Sequence, residues 1–60
     1  MTAPIYVCPS ATALLMNLAE ILGMHAAEEV LHEATLLAQM IGEFLVTVRH
    51  IRLARRVLNL

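Results

Sequence analysis

The sequence predicts a mainly all-α protein in which a short helix and a long helix form an antiparallel hairpin, and two such hairpins associate. Three observations predict it. From Ala27 onward, apolar residues recur in alternating steps of three and four: Ala27, Val30, Ala34, Leu37, Ile41, Phe44, Val48, Ile51 and Leu58, with only Arg55 breaking the seam. Pro9 and Gly23 bracket a separate apolar run upstream. The third is the mismatch between size and composition: 60 residues, 60% of them hydrophobic, against the roughly 45 to 50% of an ordinary globular domain.

Residues 1–60 are read as a single interaction domain. Residues 1–9 form an extended N-terminal segment, in which Thr2 to Val7 has the β-branched and aromatic content of a short edge strand, with Pro4 barring a central one. Helix one is expected over 10–22. Pro9 suits the first helical position, and Ser10 or Thr12 is the expected cap. Leu14, Leu15, Leu18, Ile21 and Leu22 share a face opposite Asn17 and Glu20. Gly23 stops the helix, because glycine takes a positive φ without steric cost.

Helix two is expected over 25–58, about 50 Å at ~1.5 Å per residue. Glu28 and Glu29 in its first turn and Arg52, Arg55 and Arg56 in its last turns would oppose the helix dipole. Gly42 is its weak point. Leu31, Leu36, Ala38, Leu45, Val46, Leu53 and Val57 lie outside the seam, so the apolar stripe is too wide for one partner face. Helix one is expected on one flank and a second chain on the other.

So short a chain buries only about 60% of the surface its unfolded form exposes, and such chains usually rely on disulfides, a metal or association. Cys8 is the only cysteine, which rules out an internal disulfide. A homodimer, or a higher assembly, is therefore expected. Its interface is assigned to Val30, Ala34, Leu37, Ile41, Phe44, Val48, Ile51 and Leu58. Packed antiparallel, the two copies would set Ile41 against Phe44, Leu37 against Val48 and Ala34 against Ile51, with Glu29 and Glu33 near Arg56 and Arg52 of the other chain.

The charges are segregated: all five glutamates precede Phe44 and all four arginines follow it, for a net charge of −1 with no lysine or aspartate. This balance argues against a general polyanion binder. No run of about 20 apolar residues is uninterrupted, so no membrane span is expected, and nothing basic precedes Ala11 to Ala19 as in a signal peptide. A cytoplasmic protein is the expectation.

Few residues are candidates for chemistry. Glu29 and His32 have the Glu-x-x-His spacing of di-metal helical bundles, with Glu20 positioned to join them, although a solvated pair explains the spacing equally. His25 and Glu28 form a similar pair. Cys8 has no histidine nearby in sequence to activate it as a nucleophile, and Met16, Met24 and Met40 could form an adaptable binding groove, although methionines at helical spacing are more often core filler. His50 reads as part of a basic surface with Arg49, Arg52, Arg55 and Arg56, the four candidates for binding an anionic partner. Neither a catalytic constellation nor a glycine-rich phosphate loop is present, so no enzyme activity and no cofactor is expected.

The run Leu-Met-Asn-Leu-Ala-Glu-Ile-Leu-Gly-Met (15–24) followed by Glu-Glu-Val-Leu-His-Glu-Ala (28–34) resembles the two-helix part of ribbon-helix-helix proteins. Residues 3–7 would correspond to that family's strand, which pairs between two subunits and reads the DNA major groove. The resemblance implies a dimeric DNA-binding regulator or antitoxin. Ala-Pro-Ile-Tyr-Val, however, offers no charged side chain to bases. The leading expectation is a helical homodimer that regulates or inhibits another protein by binding it; the DNA-binding regulator is the alternative and a di-metal helical dimer the third.

Overall fold

The computed structural model describes residues 5–60, in the order β1 (Tyr6–Val7), α1 (Pro9–Leu22), α2 (Met24–Met40), β2 (Leu45–Val46) and α3 (Val48–Leu58). The protein is mainly helical, as its periodicities predict. The part of the N-terminal segment over residues 1–4, including the position of Pro4, lies outside the described residues.

Helix α1 begins and ends where local chemistry says it should. Pro9 occupies the first turn, and Gly23 ends the helix at φ 96° and ψ 157°, a region open essentially to glycine alone. Neither Ser10 nor Thr12 caps it. Cys8 holds the N-cap position with no side-chain capping bond. Helix α2 then starts at Met24 with no acidic residue in its first turn, so Glu28 and Glu29 fall too far along to answer the dipole as expected.

The long helix expected over 25–58 is two helices. At Gly42 the chain turns left-handed, φ 75°, and the Gly42 N–H donates to the Gln39 carbonyl at 3.0 Å while the Glu43 N–H donates to the Ala38 carbonyl at 2.9 Å. These two bonds make a Schellman motif, which satisfies carbonyls that the ending helix leaves open. Asn59 ends α3 in the same way at φ 58°, with its N–H donating to Arg56 and that of Leu60 to Arg55.

Between α2 and α3 the chain extends as β2 and pairs with β1 in parallel, Tyr6 opposite Leu45 and Val7 opposite Val46. The Tyr6 N–H donates to the Phe44 carbonyl at 3.0 Å and the Cys8 N–H to that of Val46 at 2.9 Å. The two-residue period turns Val46 into the core while Tyr6 and Leu45 face outward.

The core is Ala11, Leu18, Ala27, Val30, Ala34, Ala38, Val46, Ile51 and Ala54, with Leu14, Leu15, Leu37 and Leu58 packed against it. Alanines dominate it, and small side chains let the three helices approach closely. This placement corrects the expected dimer interface. Val30, Ala34 and Ile51 have no exposed surface in a single chain, so the seam closes α2 against α3 within one molecule. Leu37, Val48 and Leu58 are half-buried in the same fold. Ile41 and Phe44, at the break between helices, instead remain 63% and 58% exposed.

Candidate interaction surface

Helix α3 carries every arginine of the chain. Its buried side is His50, Ile51 and Ala54; the opposite side presents Arg49, Arg52, Leu53, Arg56 and Val57. The helix is fixed at both ends by its own residues.

At the N-terminus, Thr47 lies in an extended conformation and its side chain accepts the His50 N–H, while His50 Nδ1 accepts the Thr47 N–H at 3.0 Å. The Thr47 hydroxyl also lies 3.1 Å from that nitrogen. A nitrogen that accepts carries no proton, so the imidazole proton belongs on Nε2, which lies 3.5 Å from Glu43 Oε2. His50 is thus a buried capping residue, and its expected place on a basic surface is corrected. The usual capping box has Glu or Gln at this position, so Thr-x-x-His does not carry its sequence signature.

At the C-terminus, Arg55 turns inward and is half-buried, with Nη2 donating to the Leu60 carbonyl at 3.1 Å. Its Nε is closed off from solvent and has no acceptor among the described residues. Arg52, Arg55 and Arg56 border an open depression of about 410 Å³ with Asn59 and Leu60. Arg49 belongs to another of about 380 Å³, shared with Ser10, Ile41, Glu43, Val48, His50 and Leu53. The four expected anion-binding residues are therefore divided three and one.

Among the described residues no glutamate comes within ion-pair distance of an arginine; the acid contacts found are His25 Nε2 to Glu29 Oε1 at 2.9 Å and His50 to Glu43. Glu29 therefore bonds one turn back to His25 and not to His32, the partner its Glu-x-x-His spacing predicts. Glu20, Glu29 and His32 do not converge, and no group of three metal-ligating side chains forms among the described residues.

Cys8 is half-buried, and its Sγ lies 3.2 Å from Ser10 Oγ. That side-chain hydrogen bond, then the backbone N–H of Ser10, hold its thiol pKa below the ordinary value against an upward push from burial, with the backbone N–H of Ala11 contributing least.

A large share of the apolar side chains finds no cover. Tyr6, Met40, Ile41, Phe44 and Leu45 are 44 to 81% exposed around the β1–β2 pair and the end of α2; Leu36, Leu53 and Val57 are exposed on the outer helix faces. No described helix is long and apolar enough to cross a membrane. No protein-family model, curated protein or solved structure matches the chain.

Proposed function

We propose that the chain is a small helical interaction module that self-associates and regulates or inhibits another protein by binding it. The supporting observation is the apolar surface left after folding, centred on Tyr6, Met40, Ile41, Phe44 and Leu45. Single exposed leucines are ordinary on a protein surface, but contiguous apolar area marks a site that another surface covers. The Tyr6 and Leu45 side chains are register neighbours, so they form one patch across the two strands.

The test is light scattering coupled to size exclusion across a tenfold dilution series, with circular dichroism on the same samples. A species of twice the chain mass that keeps its helicity on dilution supports the reading. A folded monomer at every concentration sinks the self-association part of it.

A second reading, a dimeric DNA-binding regulator or antitoxin of ribbon-helix-helix type, draws on Arg49, Arg52 and Arg56, which face outward on α3 with no acidic partner among the described residues. It predicts duplex affinity that falls steeply with salt in proportion to the phosphates contacted. Binding driven by the apolar patch would change little with salt.

A further inference from the structure

The last turns of α3 gather three cations that the described residues do not neutralise. Arg52, Arg55 and Arg56 stand at positions i, i+3 and i+4, and with Asn59 and Leu60 they border one open depression of about 410 Å³. No glutamate reaches them among the described residues; the two acid contacts found go to His25 and His50. Like charges one turn apart on a helix repel, so the grouping calls for a cause.

Compensation of the helix dipole accounts for part of it. That effect fades beyond the last turn, which holds Arg55 and Arg56 but not Arg52. Nor are the side chains needed to close the helix end. The Asn59 N–H donates to the Arg56 carbonyl at 3.2 Å and the Leu60 N–H to the Arg55 carbonyl at 2.9 Å, so the left-handed turn at Asn59 caps α3 through backbone alone. Arg55 is half-buried and tied down, with Nη2 donating to the Leu60 carbonyl at 3.1 Å, while its Nε is closed off from solvent and has no acceptor among the described residues. A guanidinium held in this way has already lost most of its motion on folding, so a ligand that meets it has less left to freeze.

We propose that Arg52, Arg55, Arg56 and Asn59 form a binding site for a phosphate monoester group. Each guanidinium presents paired N–H donors at the spacing of two oxyanion oxygens. A carboxylate has two oxygens in one plane and is taken up by one such fork, whereas a phosphate group turns three oxygens in different directions and engages several forks. The Asn59 side-chain amide adds a neutral donor. At about 410 Å³ the depression falls within the roughly 300 to 1,000 Å³ of small-molecule sites, so it has room for the group that carries the phosphate. Leu60, 41% exposed, offers that group an apolar surface.

The charge distribution favours a single phosphate group over a nucleic acid. Arg49 borders the other depression, and a net charge of −1 opposes the approach of a polyanion more than that of one phosphate group held among three cations. The site lies at the end of α3 away from β2, so it goes beyond the self-association reading and stands whether or not a second copy covers the patch around Tyr6 and Leu45.

The experiment is an NMR titration of the isotope-labelled full chain with inorganic pyrophosphate at fixed ionic strength, reading backbone amides and arginine Nε–H groups. Saturable one-to-one shifts at Arg52, Arg55, Arg56 and Asn59 are expected. Arg52→Gln and Arg56→Gln, both at exposed positions, are each expected to raise the Kd about threefold to tenfold, while Arg49→Gln leaves it within about twofold. Arg56→Lys keeps the charge without the fork and should fall between wild type and Arg56→Gln. Circular dichroism on each variant separates a lost site from a lost fold.

Glycerol 3-phosphate and phosphatidylcholine vesicles carrying phosphatidic acid then present the same group free and on a lipid. Binding of either through Arg52 and Arg56, displaced by pyrophosphate, supports the site and identifies the source. No saturation by about 10 mM pyrophosphate would overturn it. Equal weakening by Arg49→Gln and Arg52→Gln would overturn it as diffuse attraction. Duplex DNA binding that needs Arg49 as much as Arg52, and that pyrophosphate does not displace at matched ionic strength, would overturn it in favour of the DNA reading.

Discussion

Replacing Gly42 with alanine has opposite consequences in a broken and in an unbroken helix, which makes it the most informative single substitution in this chain. Gly42 has φ 75°, and a methyl group built on it meets no atom within 4 Å. No clash therefore enters, and the cost is backbone strain alone. An L-residue in the left-handed region loses about 1 to 2 kcal/mol relative to glycine. Alanine also narrows the unfolded ensemble, which returns about 0.4 to 1 kcal/mol.

The net expectation for Gly42→Ala is a destabilisation of ~0.5 to 1.5 kcal/mol, or ~3 to 10 °C in Tm for a domain of this size. In a continuous helix through residue 42 the same change would stabilise by about 1 kcal/mol, because alanine is the better helix former. The assay is urea and thermal unfolding followed by far-ultraviolet circular dichroism, at one fixed protein concentration because association raises apparent stability. D-alanine at position 42, accessible by chemical synthesis in so short a chain, should stabilise by ~0.4 to 1 kcal/mol, since it removes the strain and keeps the unfolded-state effect. A higher Tm for the L-alanine variant would refute the Schellman turn and restore the single long helix.

Two further substitutions test the core and the N-terminal thiol. Ile51, with no exposed surface, should cost about 2 to 5 kcal/mol as Ile51→Ala, whereas Phe44→Ala, at a residue 58% exposed, should change the stability of the folded monomer far less; an equal loss at Phe44 would mean that another surface covers it in solution. The Cys8 thiol is held below the ordinary thiol range by Ser10, so its alkylation rate should rise with pH through a midpoint below 9.0, and Ser10→Ala should move that midpoint upward. A midpoint unmoved by Ser10→Ala would show that the Sγ to Oγ contact does not stabilise the thiolate.

The sequence by itself determined the helical class and the bounds of the first helix, because Pro9 and Gly23 act through their own backbone and need no neighbours to do so. It determined which residues are apolar on α2 and α3, and Ala27, Val30, Ala34 and Ile51 do share a core. It did not determine which copy of the chain they pack against. The same three-and-four periodicity serves a long helix meeting a second chain and two shorter helices folded on each other, and Gly42 costs only about 1 kcal/mol in a helix, too little to decide. The tertiary structure decided it: β2 pairs with β1 from the far end of the chain, and α3 folds back so that Ile51 and Val46 close over the alanines of α2. These are contacts distant in sequence, and no local preference records them. The arginines were legible as a charge run, but their division into an inward-turned Arg55 and outward-facing Arg49, Arg52 and Arg56 follows from the face α3 buries, which only packing fixes.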